Sequence, residues 1–418
     1  MSGYAIVRFS SPESTVLALP PGNAKPGMTL ATPVMDPGGN GRTLLKVGYR
    51  LSHATITRLE RLGVQEIWVH YPGLAVLEQR VNPRLHAEQH ALAHQMFDSL
   101  ERVQSRVSAG VRYEQYLETM AELVDQMLGN PTACTFLRRS SQEKPSLVDQ
   151  SSAVAHLSLL MGMRLKDYLA AERAVLSRRN AIKLSSLGLG AMLHDIGVLK
   201  LDPAVVRRFE ETGDTSDPEW QTHVRLGHDM VSGKVPPSAA VIVRHHHQHF
   251  DGTGFPTPKG VSADREQKGR QIHVFARIVA VAETFHRLCH PRANVRESTV
   301  RVIGRMVGDE LVQRFDPLVL EAFLEIAPPY PPGKMVQLSS GAWAVPVGHD
   351  AIDPCRPIVQ PVAAPDDLEP AGVEPAGDLL NLREHPELRI VFAEGVDVSD
   401  ANFGPPDVRY RASLARSA

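Results

Sequence analysis

At 418 residues, with 43% hydrophobic and 22% charged side chains, the chain has the make-up of an ordinary globular protein, with room for two to four domains of about 100–200 residues each. Lys+Arg at 45 against Asp+Glu at 47 leaves a net charge of −2, which argues against a broad footprint for DNA, RNA or an anionic membrane and leaves room for a small basic pocket. Cys134, Cys289 and Cys355 are too scattered for a disulfide framework or a CxxC metal knot; with no signal-peptide pattern and no run of about 18 uncharged apolar residues, a cytoplasmic setting without a membrane span is expected.

Residues 1–75 read as a small mixed α/β unit. Short β-like runs at Tyr4–Phe9, Ser14–Leu19 and Trp68–Tyr71 alternate with turn clusters such as Pro20–Pro21–Gly22 and Pro37–Gly38–Gly39. Ser52 is placed to cap a short helix through Ile56, Leu59 and Leu62 that Gly63 stops. Residues 84–128 read as a helical connector, with Leu92, Met96, Leu100, Val103 and Val107 in a heptad-like stripe. That stripe suits a core-facing helical hairpin or a dimerising connector, so a homodimer is one expectation. Residues 130–325 carry helical periodicity with few strand signals. Residues 326–350 hold short alternating runs between turn residues, a small β extension. From 351 to 418 the texture is that of an acidic, Pro-rich linker and tail, with six prolines between Pro354 and Pro375 beside Asp366, Asp367, Glu369 and Glu374.

Seven of the 18 histidines lie between His194 and His249. Met192, Leu193 and Ile196 bury the first segment as a helix, which places His194 and Asp195 side by side at its edge. A neutral imidazole beside a carboxylate suits a borderline divalent metal, and a carboxylate can bridge two ions. His223 follows, then His245, His246, His247 and His249 within five residues. Adjacent imidazoles on one helix point about 100° apart, so they cannot all be core residues. Asp251–Gly252–Thr253–Gly254 forces a sharp turn directly after them. Glu283 sits on a strongly apolar helix among Ile278, Val279, Val281 and Ala282, where an acidic side chain is rarely buried without a partner.

This set resembles the HD-GYP family, the branch of the HD phosphohydrolases that cleaves cyclic di-GMP. The resemblance rests on His194–Asp195, His223, His246–His247, the DGTGFP run from Asp251 to Pro256, and the ARIVAVAE helix from Ala276 to Glu283. It covers roughly residues 130–345. The 1–75 unit resembles a small domain found ahead of such domains, and the stretch from Phe315 to Gly341 resembles the family's C-terminal extension. The resemblance implies a mainly α fold, with a central helical bundle flanked by the small N-terminal α/β unit and the small β-containing extension. It implies one or two divalent transition ions, Fe or Mn first, held by His194, Asp195, His223, His246, His247 and Glu283. Asp195 would be shared between the ions, with Asp195, His223 and His246 on one and His194, Asp195 and Glu283 on the other. Asp195 and Lys200 would serve catalysis, and Gly252, Gly254, Phe255 and Pro256 would line the substrate.

The departures from the family pattern are chemical. Gln150 stands where the family has a ligand His, and Ser146 lies one helical turn earlier where a further ligand is sometimes found. Val198 replaces a phosphate-binding Lys, with Lys200 nearby but starting on a different face; Phe255 replaces Tyr and Glu283 replaces Asp. Two functions therefore stand open: a metal-dependent phosphodiesterase that opens cyclic di-GMP to pGpG or GMP, and a catalytically impaired receptor or scaffold that binds a cyclic dinucleotide or a signalling protein. A simpler HD nucleotidase is weakened by His223, the His246–His247 pair and DGTGFP.

Overall fold

The structure is a computed structural model that describes residues 16–36, 43–71, 147–256, 267–290, 297–350, 353–368 and 377–404, together with 74, 118 and 121. The connector stripe at 92–107, the run at Tyr4–Phe9, Ser146 and Cys134 lie outside the described residues.

The N-terminal unit pairs β1 (Val16–Leu19) antiparallel with β4 (Ile67–His70), and β2 (Val34–Met35) with β3 (Thr43–Leu45). Between β3 and β4 lies α1 (His53–Arg61). Ser52 accepts a hydrogen bond from the Thr55 amide at 3.2 Å, which satisfies one of the amides a helix start leaves unpaired. Gly63 takes φ +74°, a left-handed value that ends the helix without steric cost.

The central helical unit comprises α2 (Leu147–Arg164), α3 (Lys166–Glu172), α4 (Arg178–Ala181), α5 (Ser185–Leu193), α6 (Pro203–Thr212), α7 (Pro218–Gln221), α8 (His223–Val231), α9 (Pro237–His245), α10 (Val274–Cys289), α11 (Thr299–Val307) and α12 (Pro317–Ile326). Its core is one apolar cluster drawn from α2, α5, α9, α10, α11 and α12. Residues 178–200 are long and apolar enough by composition to cross a membrane, but 72% of the window is buried inside the protein. Helix α5 is buried on every side, and the Gly190 position explains how. A Cβ there would stand 2.4 Å from Ile242 Cδ1, so glycine lets α9 lie directly on α5.

The C-terminal region departs from the sequence expectation. Strands β5 (Val336–Leu338), β6 (Trp343–Gly348), β7 (Ile358–Val362), β8 (Leu380–Asn381), β9 (Ile390–Ala393) and β10 (Val396–Asp397) form one antiparallel sheet in the order β10-β9-β5-β6-β7-β8. The segment read as an acidic linker and tail thus supplies four of its six strands. Proline content was the misleading signal. Pro346 falls at a register shift in β6, and Pro361 lies beyond the two residues of β7 that β8 pairs with, so neither position breaks a regular ladder. The N-terminal unit does not stand apart from this sheet. Val345, Val347, Val362 and Leu368 join Leu17, Leu30, Ile67 and Val69 in a shared core. Lys334 adds a polar tie, reaching Glu66 at 3.0 Å and Glu394 at 3.1 Å.

Candidate metal centre

Five elements converge on Asp195. Helix α5 ends at Leu193, His194 is its C-cap, and Asp195 opens the 3-10 turn Ile196–Lys200. Gly197 follows, and a Cβ on it would lie 1.9 Å from the His223 carbonyl oxygen. Glycine at this position therefore lets the first turn of α8 approach Asp195. Helix α9 ends by delivering His246 and His247, α2 brings Gln150, and the Glu283 carboxylate of α10 acts electrostatically on His194.

The imidazoles are set by their backbones. The Nδ1 of His194 lies 2.7 Å from the Ala191 carbonyl, that of His223 lies 2.7 Å from the Trp220 carbonyl, and that of His246 lies 3.3 Å from the Ile242 carbonyl. A carbonyl can only accept, so each Nδ1 carries the proton. In the neutral ring each Nε2 is then a bare lone pair. His223 Nε2 and His246 Nε2 stand 3.3 and 3.4 Å from Asp195 Oδ1, and His194 Nε2 stands 3.3 Å from Oδ2. All three Nε2 atoms and Asp195 Oδ1 are buried without a hydrogen-bond partner.

Lone pairs facing lone pairs in a buried site are costly unless a cation lies among them. Asp195, His223, His246 and His247 each offer an atom within 4.8 Å of the others, and all four are buried. This donor set, three nitrogens and one carboxylate, fits a divalent transition ion. His194 and Glu283 do not join that group of four among the described residues.

Burial works to raise the Asp195 pKa, yet His194, His223 and His246 outweigh it and hold the carboxyl well below the usual range. Burial, with neighbouring imidazoles adding to it, pushes His247 well below its ordinary value and lowers His246. Burial opposes charge on His194 as well, but the adjacent carboxylate prevails and raises it. His245, His249 and His273 are each pushed down to about 4, chiefly by burial. A histidine depressed in the fold costs stability when the unfolded chain takes up protons first. The metal-free protein is therefore expected to keep full stability above pH ~6.5 and lose it progressively toward pH 4, with His194 offsetting part of the loss. A melting temperature that stays flat over that window would contradict the assignment.

The residues named for substrate have a clear structural task. Gly252 takes φ +90°, and a Cβ on Gly254 would stand 2.1 Å from the His247 carbonyl oxygen. Phe255 stacks on His247 with centroids 4.4 Å apart, and Gln248 donates to the Pro256 carbonyl at 2.7 Å. The DGTGFP loop is thereby folded back over the histidine pair. The Phe255–Pro256 bond is cis.

Lys200 is exposed at the far end of its turn and makes no hydrogen bond or ion pair with the cluster among the described residues. One sequence reading changes. Gln150, which stands where the resemblance has a ligand His, does not turn its amide oxygen to Asp195. Instead its Nε2 donates to Asp195 Oδ2 at 2.9 Å. A carboxylate accepts only, so the amide must turn its N–H toward it. Sequence reasoning also missed Arg287, whose Nε lies 3.1 Å from Glu283 Oε1. The four-residue spacing on one helix was the available signal.

A family model described as an HD domain matches residues 144–319. The chain is 31% identical over 164 residues to a cyclic di-GMP phosphodiesterase of Pseudomonas aeruginosa, covering 38% of this chain and 36% of that protein. It is 27% identical over 139 residues to a cyclic di-GMP phosphodiesterase response regulator of Xanthomonas campestris, covering 32% and 35%. Over 243 residues it is 23% identical to a cyclic di-GMP phosphodiesterase of Vibrio cholerae, covering 56% and 43%. The chain thus spans less than half the length of these relatives. A solved HDG"Y"P protein from Bdellovibrio bacteriovorus aligns with 74% of this chain and 99% of its own at 14% identity and a TM-score of 0.42, a slight likeness.

Proposed function

We propose that this chain, whose residues 144–319 match an HD-domain family model, is of the HD-GYP type and is a metal-dependent phosphodiesterase that opens cyclic di-GMP to pGpG or GMP. The observation that carries this reading is the buried convergence of Asp195, His223, His246 and His247, with the Nε2 lone pairs of His223 and His246 turned toward a carboxylate. A divalent transition ion, Fe or Mn first, polarises a phosphoryl oxygen and lowers the pKa of water when bound. The chain's own part is positional. The backbone carbonyls behind Nδ1 fix each imidazole, as outer-shell partners do in metal sites. Phe255 covers one face of His247 and limits water around it. Arg287, at the end of α10, places a guanidinium beside Glu283.

A receptor that binds the cyclic dinucleotide without cleaving it is the second reading, favoured by Gln150 on Asp195 and by Val198, which packs beside Val205, Phe209 and Trp220 and offers no charge. Loss of one donor to developing transition-state charge costs on the order of 100-fold or more. Slow turnover is therefore expected. The full chain, loaded with Mn or Fe and incubated with cyclic di-GMP, should yield linear product by chromatography. Binding without product would establish the receptor, and neither binding nor product would remove the cyclic dinucleotide from both readings.

A further inference from the structure

We propose that this chain holds a single metal ion, because Gln150 and Arg287 occupy with fixed N–H donors the two carboxylates that a second ion would need. The inference rests on the reading of Asp195 as a metal ligand and deepens it.

Asp195 is divided between its two oxygens. Oδ1 faces His223 and His246, at 3.3 and 3.4 Å, on the side of the four-residue group. Oδ2 faces His194 at 3.3 Å and accepts from Gln150 at 2.9 Å. An ion bridging through Oδ2 would have to displace that N–H. Rotating the amide would present its oxygen, a neutral and weak donor for a borderline metal. It would also give up the hydrogen bond, which is worth more to a charged acceptor than to a neutral one.

The other carboxylate is also taken. Glu283 is buried, and its Oε1 receives the Arg287 Nε at 3.1 Å. The Arg287 guanidinium is a cation, so a metal ion approaching Glu283 meets a like charge already seated on that carboxylate. The guanidinium is about one-third exposed, and its charge is felt at both His247 and His249. Its Nη groups have no protein partner among the described residues. Gln150 and Arg287 come from helices 1 and 9 of the bundle in chain order, α2 and α10, so the pairing is a product of tertiary packing. Together they satisfy Asp195 Oδ2 and Glu283 Oε1 with protein N–H groups.

The count of bound ions tests this without any substrate. Full-length protein saturated with Mn, freed of excess and measured by plasma mass spectrometry, should carry one ion per chain, with the isolated six-line resonance of a lone Mn. Gln150→His combined with Arg287→Ala should double the count to two and add a spin-coupled signal. Where the alanine variant fails to fold, Gln150→His with Arg287→Gln keeps the bulk, removes the charge and carries the same expectation. Two ions in the wild type would overturn the proposal, and so would a folded double variant that stays at one. Neither outcome depends on turnover. One ion without cleavage of cyclic di-GMP would uphold this inference and reject the phosphodiesterase, whereas two ions with cleavage would do the reverse.

Discussion

Asp195→Ala is expected to strip the protein of metal and to abolish any metal-dependent turnover with it. The carboxylate is the only anionic member of the group of four, and His223 and His246 both aim their Nε2 at its Oδ1. Three neutral imidazoles would remain, in a buried site with no charge to offset that of a divalent ion. Loss of an outer partner of a metal ligand typically costs about 10–100-fold in affinity, and loss of the ligand itself should exceed that. Asp195→Asn keeps the shape and removes the charge, so it should lose metal nearly as completely. Lys200→Ala provides the contrast, since that side chain is exposed and apart from the cluster, and should leave metal content unchanged. Retention of a full complement of metal by Asp195→Ala would sink the assignment of this centre.

Arg277→Ala should be the most destabilising single change in the helical unit. Arg277 lies on α10 and ion-pairs with Glu172 of α3 and with Asp316, the N-cap of α12; all three side chains are at most 5% exposed. Tyr168 donates to Asp316 at 2.7 Å, and Asp316 also accepts from the Leu318 amide at 3.0 Å. Removing the guanidinium would leave buried Asp316 without a cation among the described residues and Glu172 with the half-exposed Arg270 alone. Breaking a buried ion pair by deleting one partner costs about 3–5 kcal/mol, which for a unit of this size lowers the melting temperature by roughly 6–20 °C. Added salt should not reproduce the effect, because water and ions do not reach the pairs. Arg208→Ala is the exposed counterpart. Arg208 pairs with Asp217 and Glu219 at the surface, and its loss should leave the melting temperature nearly unchanged. Adding Glu172→Gln and Asp316→Asn to Arg277→Ala should recover part of the lost stability, since the stranded charges are then gone. A thermal melt of Arg277→Ala that matches wild type would show that the network contributes nothing.

Local chemistry was legible in the chain because it depends on neighbours in sequence. The Ser52 cap and the Gly63 stop follow from backbone amides three residues apart and from a left-handed φ, and both are present. The β-like runs at Ser14–Leu19 and Trp68–Tyr71 overlap strands β1 and β4, while their pairing joins segments far apart in the chain. The adjacency of His194 and Asp195, the His246–His247 pair and the turn at Gly252 were equally local, and the ligand group was assembled from them with His223. What distance in sequence hides is which way a side chain turns once its helix is packed. Gln150 is 45 residues from Asp195, and only the contact of α2 with α5 shows that its amide donates to the carboxylate. Arg277 is 105 residues from Glu172, so its apolar helix gave no hint of a buried cation. Strand content after residue 351 was masked by proline, whose effect depends on whether a neighbouring strand reaches it. The residue types marked Asp195, His223, His246 and His247 as candidate donors, with His194 and Glu283 named beside them. Tertiary packing decided which oxygen of Asp195 each donor faces, because that choice is made by helices far apart in the chain closing over a site that water no longer screens.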